Sequence, residues 1–188
     1  MPMNLLHRRL CSSPKWAEAV AQTLPRQLED LDLTDVLEIG PGFGATTRVI
    51  APRAQRLTAV EIDEASVGGL RAEFGGRVEI VHGDGAALPF PDGRFSAVVC
   101  FTMLHHVPSP AAQDALFAEA CRVLRPGGVF RGADSQPNLR WRLLHVGDTM
   151  TVVDPDTLDD RLRRAGFDEV EHRLQPAVRV RFTARRSG

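Results

Sequence analysis

Short apolar runs alternate with amphipathic stretches between residues 35 and 135, and this alternation limits the fold more than any other feature of the sequence. The apolar runs have the length and composition of buried strands, and they cover residues 35–40, 56–61, 77–82, 95–101 and 129–133. Helices are predicted from a glycine turn up to Pro52, from the N-cap Asp63 to near Gly75, and over residues 111–124, where residues 125–128 end the pattern. Strands separated by helices predict a parallel sheet with helices on both faces.

Two further strands are predicted near the carboxyl end of the sequence. Residues 155–165 have a helical pattern that Gly166 ends, and residues 169–174 and 178–183 have the pattern of strands. The connection around Pro176 is too short for a crossover, so these two strands must pair antiparallel at one edge of the sheet. Before the first strand, residues 14–31 are predicted to form a helix that is interrupted near Pro25.

Length, charge and cysteine usage exclude several classes of protein. The 188 residues contain no repeat and no linker, which predicts one domain over residues 1–188, and the net charge of -1 argues against a nucleic-acid binder. Cys11, Cys100 and Cys121 lie far apart without a CxxC pair, which predicts neither disulfides nor a metal site and favours the cytoplasm. Neither a signal peptide nor a membrane span is predicted, because no sufficiently long apolar stretch is present.

A glycine-rich turn separates the first predicted strand from the following helix. Gly40, Gly42 and Gly44 would let the backbone approach a ligand closely. Glu61 ends the next strand about 20 residues on, where a carboxylate can accept hydrogen bonds from both hydroxyls of a ribose. Together they indicate an adenosine-containing ligand. Because Gly40, Gly42 and Ala45 also satisfy the dinucleotide fingerprint, an NAD site stays open at this point, as does a tight turn without a ligand.

Five motifs, in order along the chain, resemble those of the class I S-adenosylmethionine-dependent methyltransferases. Residues 36–47 resemble motif I, residues 60–63 the acidic second motif, residues 83–90 the adenine loop, residues 95–107 motif IV, and residues 123–129 the turn before the fifth strand. The resemblance implies a single-domain, Rossmann-like fold with a seven-stranded, mostly parallel α/β sheet, helices on both faces and an antiparallel edge strand. It also implies S-adenosyl-L-methionine as cofactor and S-adenosyl-L-homocysteine as product.

The resemblance assigns roles in cofactor binding residue by residue. Glu38 would anchor the amino end of the methionine, Glu61 would hold the ribose, and Ile62 would pack on the adenine. Asp84 would accept a hydrogen bond from the adenine amino group. The complete set is Glu38, Gly40, Pro41, Gly42, Gly44, Glu61, Ile62, Asp84, Gly85, Ala86, Phe101 and Thr102, of which the last two would line the methionine end.

His105 and His106 are the candidates for a general base, because they follow the fourth strand where the acceptor should lie. The methyl group of a sulfonium is already electrophilic, so a base is needed only for an acceptor that carries a proton. Unperturbed imidazole titrates near neutral pH, and His106 is preferred over His105. The alternative is that these residues cap the loop or pack on the next helix. The other histidines, His7, His82, His145 and His172, are expected to be surface or structural residues.

Two segments are expected to cover the acceptor, residues 4–16 and 136–150. They carry apolar side chains with arginines among them, namely Leu5, Leu6, Trp16, Trp141, Leu143, Leu144 and Met150 with Arg8, Arg9, Arg140 and Arg142. An apolar lid rimmed by arginines would suit a small organic acceptor with an anionic group, whereas ordinary amphipathic helices would need no ligand. The sequence therefore predicts a small-molecule methyltransferase with a covering segment (1–34), a cofactor-binding core (35–134) and a lid with closing strands (135–188). The alternatives are a non-catalytic cofactor-binding protein and an NAD-binding oxidoreductase.

Overall fold

Seven strands form one mixed sheet in the computed structural model, which describes residues 4–138 and 147–188. The strands are β1 (Asp35–Ile39), β2 (Arg56–Glu61), β3 (Glu79–His82), β4 (Phe95–Phe101), β5 (Leu124–Ser135), β6 (Phe167–Gln175) and β7 (Arg179–Arg186). Their order across the sheet is β3-β2-β1-β4-β5-β7-β6. Strands β1 to β5 pair in parallel, whereas β7 runs antiparallel to both β5 and β6. The predicted mostly parallel, Rossmann-like sheet with an antiparallel pair at its edge is confirmed.

Helices precede, connect and follow these strands, and all of those named here except α3 begin at a side-chain cap. They are α1 (Leu5–Cys11), α2 (Pro14–Thr23), α3 (Thr47–Ile50), α4 (Glu64–Phe74), α5 (Pro110–Val123) and α6 (Pro155–Arg164), with 3₁₀ turns at Pro25–Gln27 and Leu104–His106. Asp63 caps α4 as predicted, because its carboxylate accepts the N–H of Ser66 at 2.9 Å. Gly166, with a φ of 106°, ends α6 as predicted. None of the helices within residues 4–138 and 147–188 has both the length and the apolar character that a bilayer crossing requires.

Three elements are shorter than the sequence predicts. The helix expected over residues 14–31 ends at Thr23 and is followed only by the 3₁₀ turn Pro25–Gln27. Helix α3 covers only Thr47–Ile50. The residues between β1 and Thr47 form the glycine loop, and Pro52 has no N–H with which to extend the helix. Strand β3 begins at Glu79, because the N–H groups of Arg77 and Val78 bond to the carbonyl of Phe74 and close the end of α4.

Strand β5 begins earlier than predicted and contains residues 125–128, which were expected to be a turn before it. Leu124 pairs with Phe95 and Val129 pairs with Ala97, so β5 carries extra residues at an irregularity of the ladder. Gly127 has a φ of 77°, and a Cβ atom at Gly128 would lie 2.8 Å from the carbonyl oxygen of Arg125. The two glycines therefore permit a bend that other residues would resist.

Each face of the sheet has its own apolar core. Beneath α5 and α6, the rings of Phe117, Phe130, Phe167 and Phe182 pack with centroid distances from 5.0 to 6.2 Å. The second core lies beneath α2, α3 and α4. Strands β1 and β4 are buried along their whole length because both of their faces are covered. This explains why they are almost continuously apolar in the sequence.

The strand order reverses between β1 and β4, and this reversal sets the position of the site. β1 pairs with β2 on one side and with β4 on the other, so the loops that follow β1 and β4 diverge to opposite faces. In open α/β sheets, ligands bind in the crevice at the carboxyl ends of such a pair of strands. The loop after β1 and the turn after β4 are therefore the places to look for function.

The packing of α6 on the sheet gives a stability prediction. Leu158 in α6 is fully buried, so Leu158→Ala should lower the free energy of unfolding by about 2–5 kcal/mol through lost burial and the cavity left behind. Leu174→Ala in β6, where the side chain is 44% exposed, should cost less than about 1 kcal/mol. Urea unfolding followed by circular dichroism measures both. Equal losses for the two variants would contradict the packing described for α6.

Candidate functional site

The loop after β1 carries three glycines in the left-handed region, with φ values of 69° at Gly40, 56° at Gly42 and 77° at Gly44. A Cβ atom at Gly40 would lie 2.8 Å from the side chain of Met103, and one at Gly44 would lie 2.7 Å from the ring of Phe74. At Gly42, no heavy atom of the described part of the chain lies within 4 Å of such an atom. Gly40 and Gly44 thus allow close packing, whereas Gly42 exposes its backbone to open space.

Glu61 joins this loop to the start of α4. Its carboxylate is buried at the carboxyl end of β2, and its two oxygens accept the N–H groups of Gly42 and Asp63, both at 2.9 Å. A carboxylate offers about four lone-pair positions, so each oxygen can accept one more hydrogen bond. This fits the role of binding two ribose hydroxyls that the resemblance implies.

Glu38 is a second buried carboxylate, but it faces the protein interior. It accepts hydrogen bonds from the hydroxyls of Thr46 and, at 2.7 Å, of Thr47, which fixes the start of α3. Burial raises the pKa of Glu38 to about 7, although the two threonine hydroxyls act in the opposite direction, and the charge of Glu61 adds to the increase. Because Glu38 does not line the cavity described next, its contact with a methionine amino group stays a prediction.

A cavity of about 240 Å³ lies at the carboxyl ends of β1, β2 and β4. The glycine loop and Glu61 form one wall, the end of β4 forms another, and α1 and the start of α2 cover it with apolar side chains such as Leu10 and Trp16. Nine of the predicted site residues lie on its walls, namely Gly40, Pro41, Gly42, Glu61, Ile62, Phe101, Thr102, His105 and His106. Residues far apart in the sequence are thus brought together as the motifs predict.

The remaining predicted residues lie away from the cavity. Gly44 packs under α4. Asp84 is exposed, and its carboxylate accepts a hydrogen bond from the N–H of Ala86 at 2.9 Å. Gly85 is buried, and a Cβ atom added to it would lie 2.7 Å from the side chain of Ile39. Neither Asp84, Gly85 nor Ala86 lines the cavity, so the adenine contacts assigned to this loop stay predictions.

Two features of the cavity wall indicate a ligand. Ile62 is 47% exposed there, which leaves an apolar surface for a flat ring to cover. Thr102 has a φ of 55°, a conformation that is costly for a β-branched residue, and its N–H donates to the carbonyl of Ala133 at 2.7 Å. Strained backbone of this kind concentrates at functional sites.

A group of histidines forms the wall opposite the glycine loop. His105 is buried, and its Nδ1 lies 2.5 Å from Asp134, which also accepts the backbone N–H of His105 at 3.0 Å. His106 is half-buried, with its ring centroid 4.1 Å from that of His105. His7 of α1 lies 5.0 Å from His106, and its Nδ1 is 2.9 Å from Asp148. Three imidazoles with two supporting carboxylates therefore face one cavity.

Sequence reasoning placed His7 among the surface or structural residues, whereas it is buried in the cavity wall. It also missed Asp134 and Asp148. Asp134 directly follows the apolar run of β5 at the carboxyl end of a strand, where functional side chains collect. Its position in the sequence could therefore have indicated a site residue. His82 bonds to the carbonyl of Ile62 at the surface, as expected of a structural residue.

The covering segments are described only in part. Trp16 lines the cavity, and the guanidinium of Arg8 lies 5.8 Å from the ring centroid of Phe43 at its wall. Leu6 and Met150 are exposed. The predicted lid residues Arg140, Trp141, Arg142, Leu143 and Leu144, together with His145, lie outside the described residues.

Comparisons with known proteins agree on one family. The family described as "Methyltransferase domain" matches residues 37–131. A Mycolicibacterium smegmatis protein named "Probable S-adenosylmethionine-dependent methyltransferase/" is 44% identical over 96 residues, which are 51% of this chain and 36% of that protein. Demethylmenaquinone methyltransferase of Clavibacter sepedonicus is 30% identical over 167 residues, covering 73% of this chain and 67% of the relative.

A solved structure from Pyrococcus horikoshii OT3 has a TM-score of 0.77 with 18% identity, and the match covers 94% of each chain. At this identity the likeness concerns the fold. The chain spans only 26–49% of the length of the first curated relatives that it matches.

The raised pKa of Glu38 predicts a pH-dependent stability. Its folded-state pKa of about 7 exceeds the unfolded value of 4.5, so the folded state holds a proton that the unfolded state has lost between these pH values. The stability that Glu38 contributes is full below about pH 4.5 and is lost as the pH rises to about 7. Glu38→Gln should flatten this part of the profile, whereas Glu29→Gln, at an exposed glutamate, should not. Urea midpoints between pH 4.5 and 8 test this, and an unchanged slope in Glu38→Gln would contradict it.

Proposed function

We propose that this chain, which belongs to the class I S-adenosylmethionine-dependent methyltransferases, transfers a methyl group to a small organic acceptor by direct displacement. The observation that carries the proposal is the cavity bounded by the open backbone of Gly42, the Glu61 carboxylate and the exposed face of Ile62. A close backbone approach, a hydrogen-bond acceptor pair and an apolar surface are what the sugar and base of an adenosine need.

The cofactor-binding residues are assigned as follows. Glu61 would accept the ribose hydroxyls with the lone pairs that Gly42 and Asp63 leave open, and Ile62 would cover the adenine. The backbone from Gly40 to Gly44 would pass beneath the cofactor, and Phe101 and Thr102 would lie beside its methionine end. Glu38, on the interior side of the glycine loop, would anchor the methionine amino group. The loop Asp84–Ala86 would contact the adenine.

When bound, S-adenosylmethionine supplies an electrophilic methyl group on a sulfonium, and its transfer leaves S-adenosylhomocysteine. The protein has to align the acceptor atom with this group and exclude water, which can contribute about 7–11 kcal/mol in favourable cases. An acceptor that carries a proton on its attacking atom loses that proton as the new bond forms. His106, half-buried on the cavity wall, would accept it, with His105 as the second candidate.

A small organic acceptor is favoured by the walls around the remaining space. Apolar side chains of α1, α2 and the end of β4 enclose it, and Arg8 provides a positive charge. This combination suits an apolar molecule with an anionic or hydroxyl group. The relative from Clavibacter sepedonicus is named as a methyltransferase of demethylmenaquinone, which is also a small organic molecule.

Three parts of the chain would have different roles at this cavity. Residues 35–134 would form the cofactor-binding core, because they supply the glycine loop, Glu61 and the end of β4. Residues 1–34 would cover the cavity through α1 and α2. Residues 135–188 would contribute Ser135 and Thr149 to the wall and close the sheet with β6 and β7.

Cofactor affinity is the first test of the proposal. Glu61→Ala should weaken binding of S-adenosylhomocysteine by about 10- to 100-fold, because a hydrogen bond to a charged group contributes about 1.5–3 kcal/mol. Isothermal titration calorimetry measures the affinity, and Glu64→Ala, at an exposed glutamate of α4, is the matched control. A folded wild-type protein that fails to bind S-adenosylhomocysteine at millimolar concentration would refute the proposal. Displacement by NAD at equal affinity would favour an oxidoreductase instead.

Turnover separates an enzyme from a non-catalytic cofactor-binding protein. With an acceptor found in a panel of phenols, carboxylic acids, amines and quinols, His106→Ala should lower the rate of S-adenosylhomocysteine release by about 10²–10⁴-fold. Affinity for S-adenosylhomocysteine should stay unchanged, and the rise of the wild-type rate with pH should be absent in the variant. His82→Ala, at an exposed histidine, is the control.

If His106→Ala keeps its rate and loses only thermal stability, His106 is a packing residue and the same experiment moves to His105. Cofactor binding without release of product from any member of the panel would favour the non-catalytic alternative.

A further inference from the structure

Three imidazole rings meet at the cavity wall, although they come from two separate parts of the chain. His7 belongs to α1, whereas His105 and His106 lie in the 3₁₀ turn after β4. Each residue offers one ring nitrogen within 4.8 Å of those of the other two. His7 and His105 are buried and His106 is half-buried, so the three nitrogens converge in a place of limited solvent access.

Buried carboxylates hold two of these rings by their Nδ1 atoms. Asp148 lies 2.9 Å from Nδ1 of His7, and Asp134 lies 2.5 Å from Nδ1 of His105, with both carboxylates almost fully buried. A carboxylate that accepts the Nδ1 proton fixes the tautomer, so the lone pair of the ring is on Nε2. This pairing of an outer carboxylate with a histidine is characteristic of histidines that bind metal ions.

We propose that His7, His105 and His106 bind a zinc ion, with Asp148 and Asp134 orienting the first two rings. Three neutral imidazoles and an open fourth position are an established ligand set for zinc. With Zn–N distances of about 2.0–2.1 Å in a tetrahedron, the ligand nitrogens lie about 3.3 Å apart. Because one ring nitrogen of each residue already lies within 4.8 Å of the others, each pair of nitrogens needs to approach by about 1.5 Å at most. The fourth position faces the cavity, because all three histidines line it.

Zinc binding has two consequences for the molecule. The ion would connect α1 to the turn after β4 and so fasten the helix that covers the cavity. It would also occupy the lone pair of His106, so the zinc-bound form cannot use that residue as a proton acceptor. Zinc binding itself requires neither cofactor nor acceptor, so it can be measured without methyl transfer.

Metal titration of the full chain, stripped with a chelator and then freed of it, tests the proposal without cofactor or acceptor. Calorimetry with zinc chloride should give one ion per chain. His7→Ala and His106→Ala should each weaken binding by at least about 100-fold, and Asp148→Asn by about 10- to 100-fold. His172→Ala is the matched control, because His172 also has a carboxylate partner, Asp159 at 2.7 Å, but lies outside the cavity.

X-ray absorption of the zinc-loaded wild type adds a measurement that needs no variant. It should show nitrogen or oxygen neighbours at about 2.0–2.1 Å and imidazole scattering. Absence of stoichiometric binding, unchanged affinity in both His7→Ala and His106→Ala, or a sulfur neighbour at about 2.3 Å would each overturn the proposal. If one variant fails to fold by circular dichroism, the other variant and the absorption spectrum still decide.

Discussion

Both oxygens of the Glu61 carboxylate accept backbone N–H groups, from Gly42 on one side and from Asp63 on the other. A buried carboxylate is costly unless donors surround it, so these bonds fix the glycine loop and the start of α4 with respect to β2. Gly42 donates this N–H from a backbone conformation with a φ of 56°, which favours glycine. The wall of the cavity therefore depends on one carboxylate and on one residue without a side chain.

The neighbouring carboxylate, Glu38, shows how partners decide the state of a buried acid. Within residues 4–138 and 147–188, the donors to Glu38 are the hydroxyls of Thr46 and Thr47, and burial dominates, so the pKa of Glu38 rises to about 7. The charge of Glu61 contributes to that increase. Glu61 thus holds the loop through two hydrogen bonds from backbone N–H groups, whereas Glu38 has a raised pKa and readily takes up a proton. A cationic group bound near Glu38 would reverse this preference and favour its charged form.

The sequence predicts those parts of the fold that local pattern determines. Strands β2 and β4 begin and end at the predicted residues, since their apolar runs are bounded by polar residues. The start of β5 was wrong, because the extra residues before Val129 are accommodated by pairing with β4 that no local pattern encodes. Of the site, the motif residues at the ends of β1, β2 and β4 do meet at one cavity. His7 could not be predicted, because only the folded chain brings α1 to the turn after β4.

The Asp148 carboxylate, from beyond the core, contacts the start of the helix that covers the cavity. Asp148 accepts the backbone N–H of Asn4 at 2.6 Å and the side-chain amide of Asn4 at 3.3 Å, and it lies 2.9 Å from Nδ1 of His7. Lifting α1 alone would leave the buried Asp148 carboxylate without these donors, and a buried polar group that loses its hydrogen-bond partners is destabilising. Opening of the cavity must therefore move α1 together with Asp148 or bring water to the carboxylate. The position of α1 is in this way coupled to a segment that is far from it in the sequence.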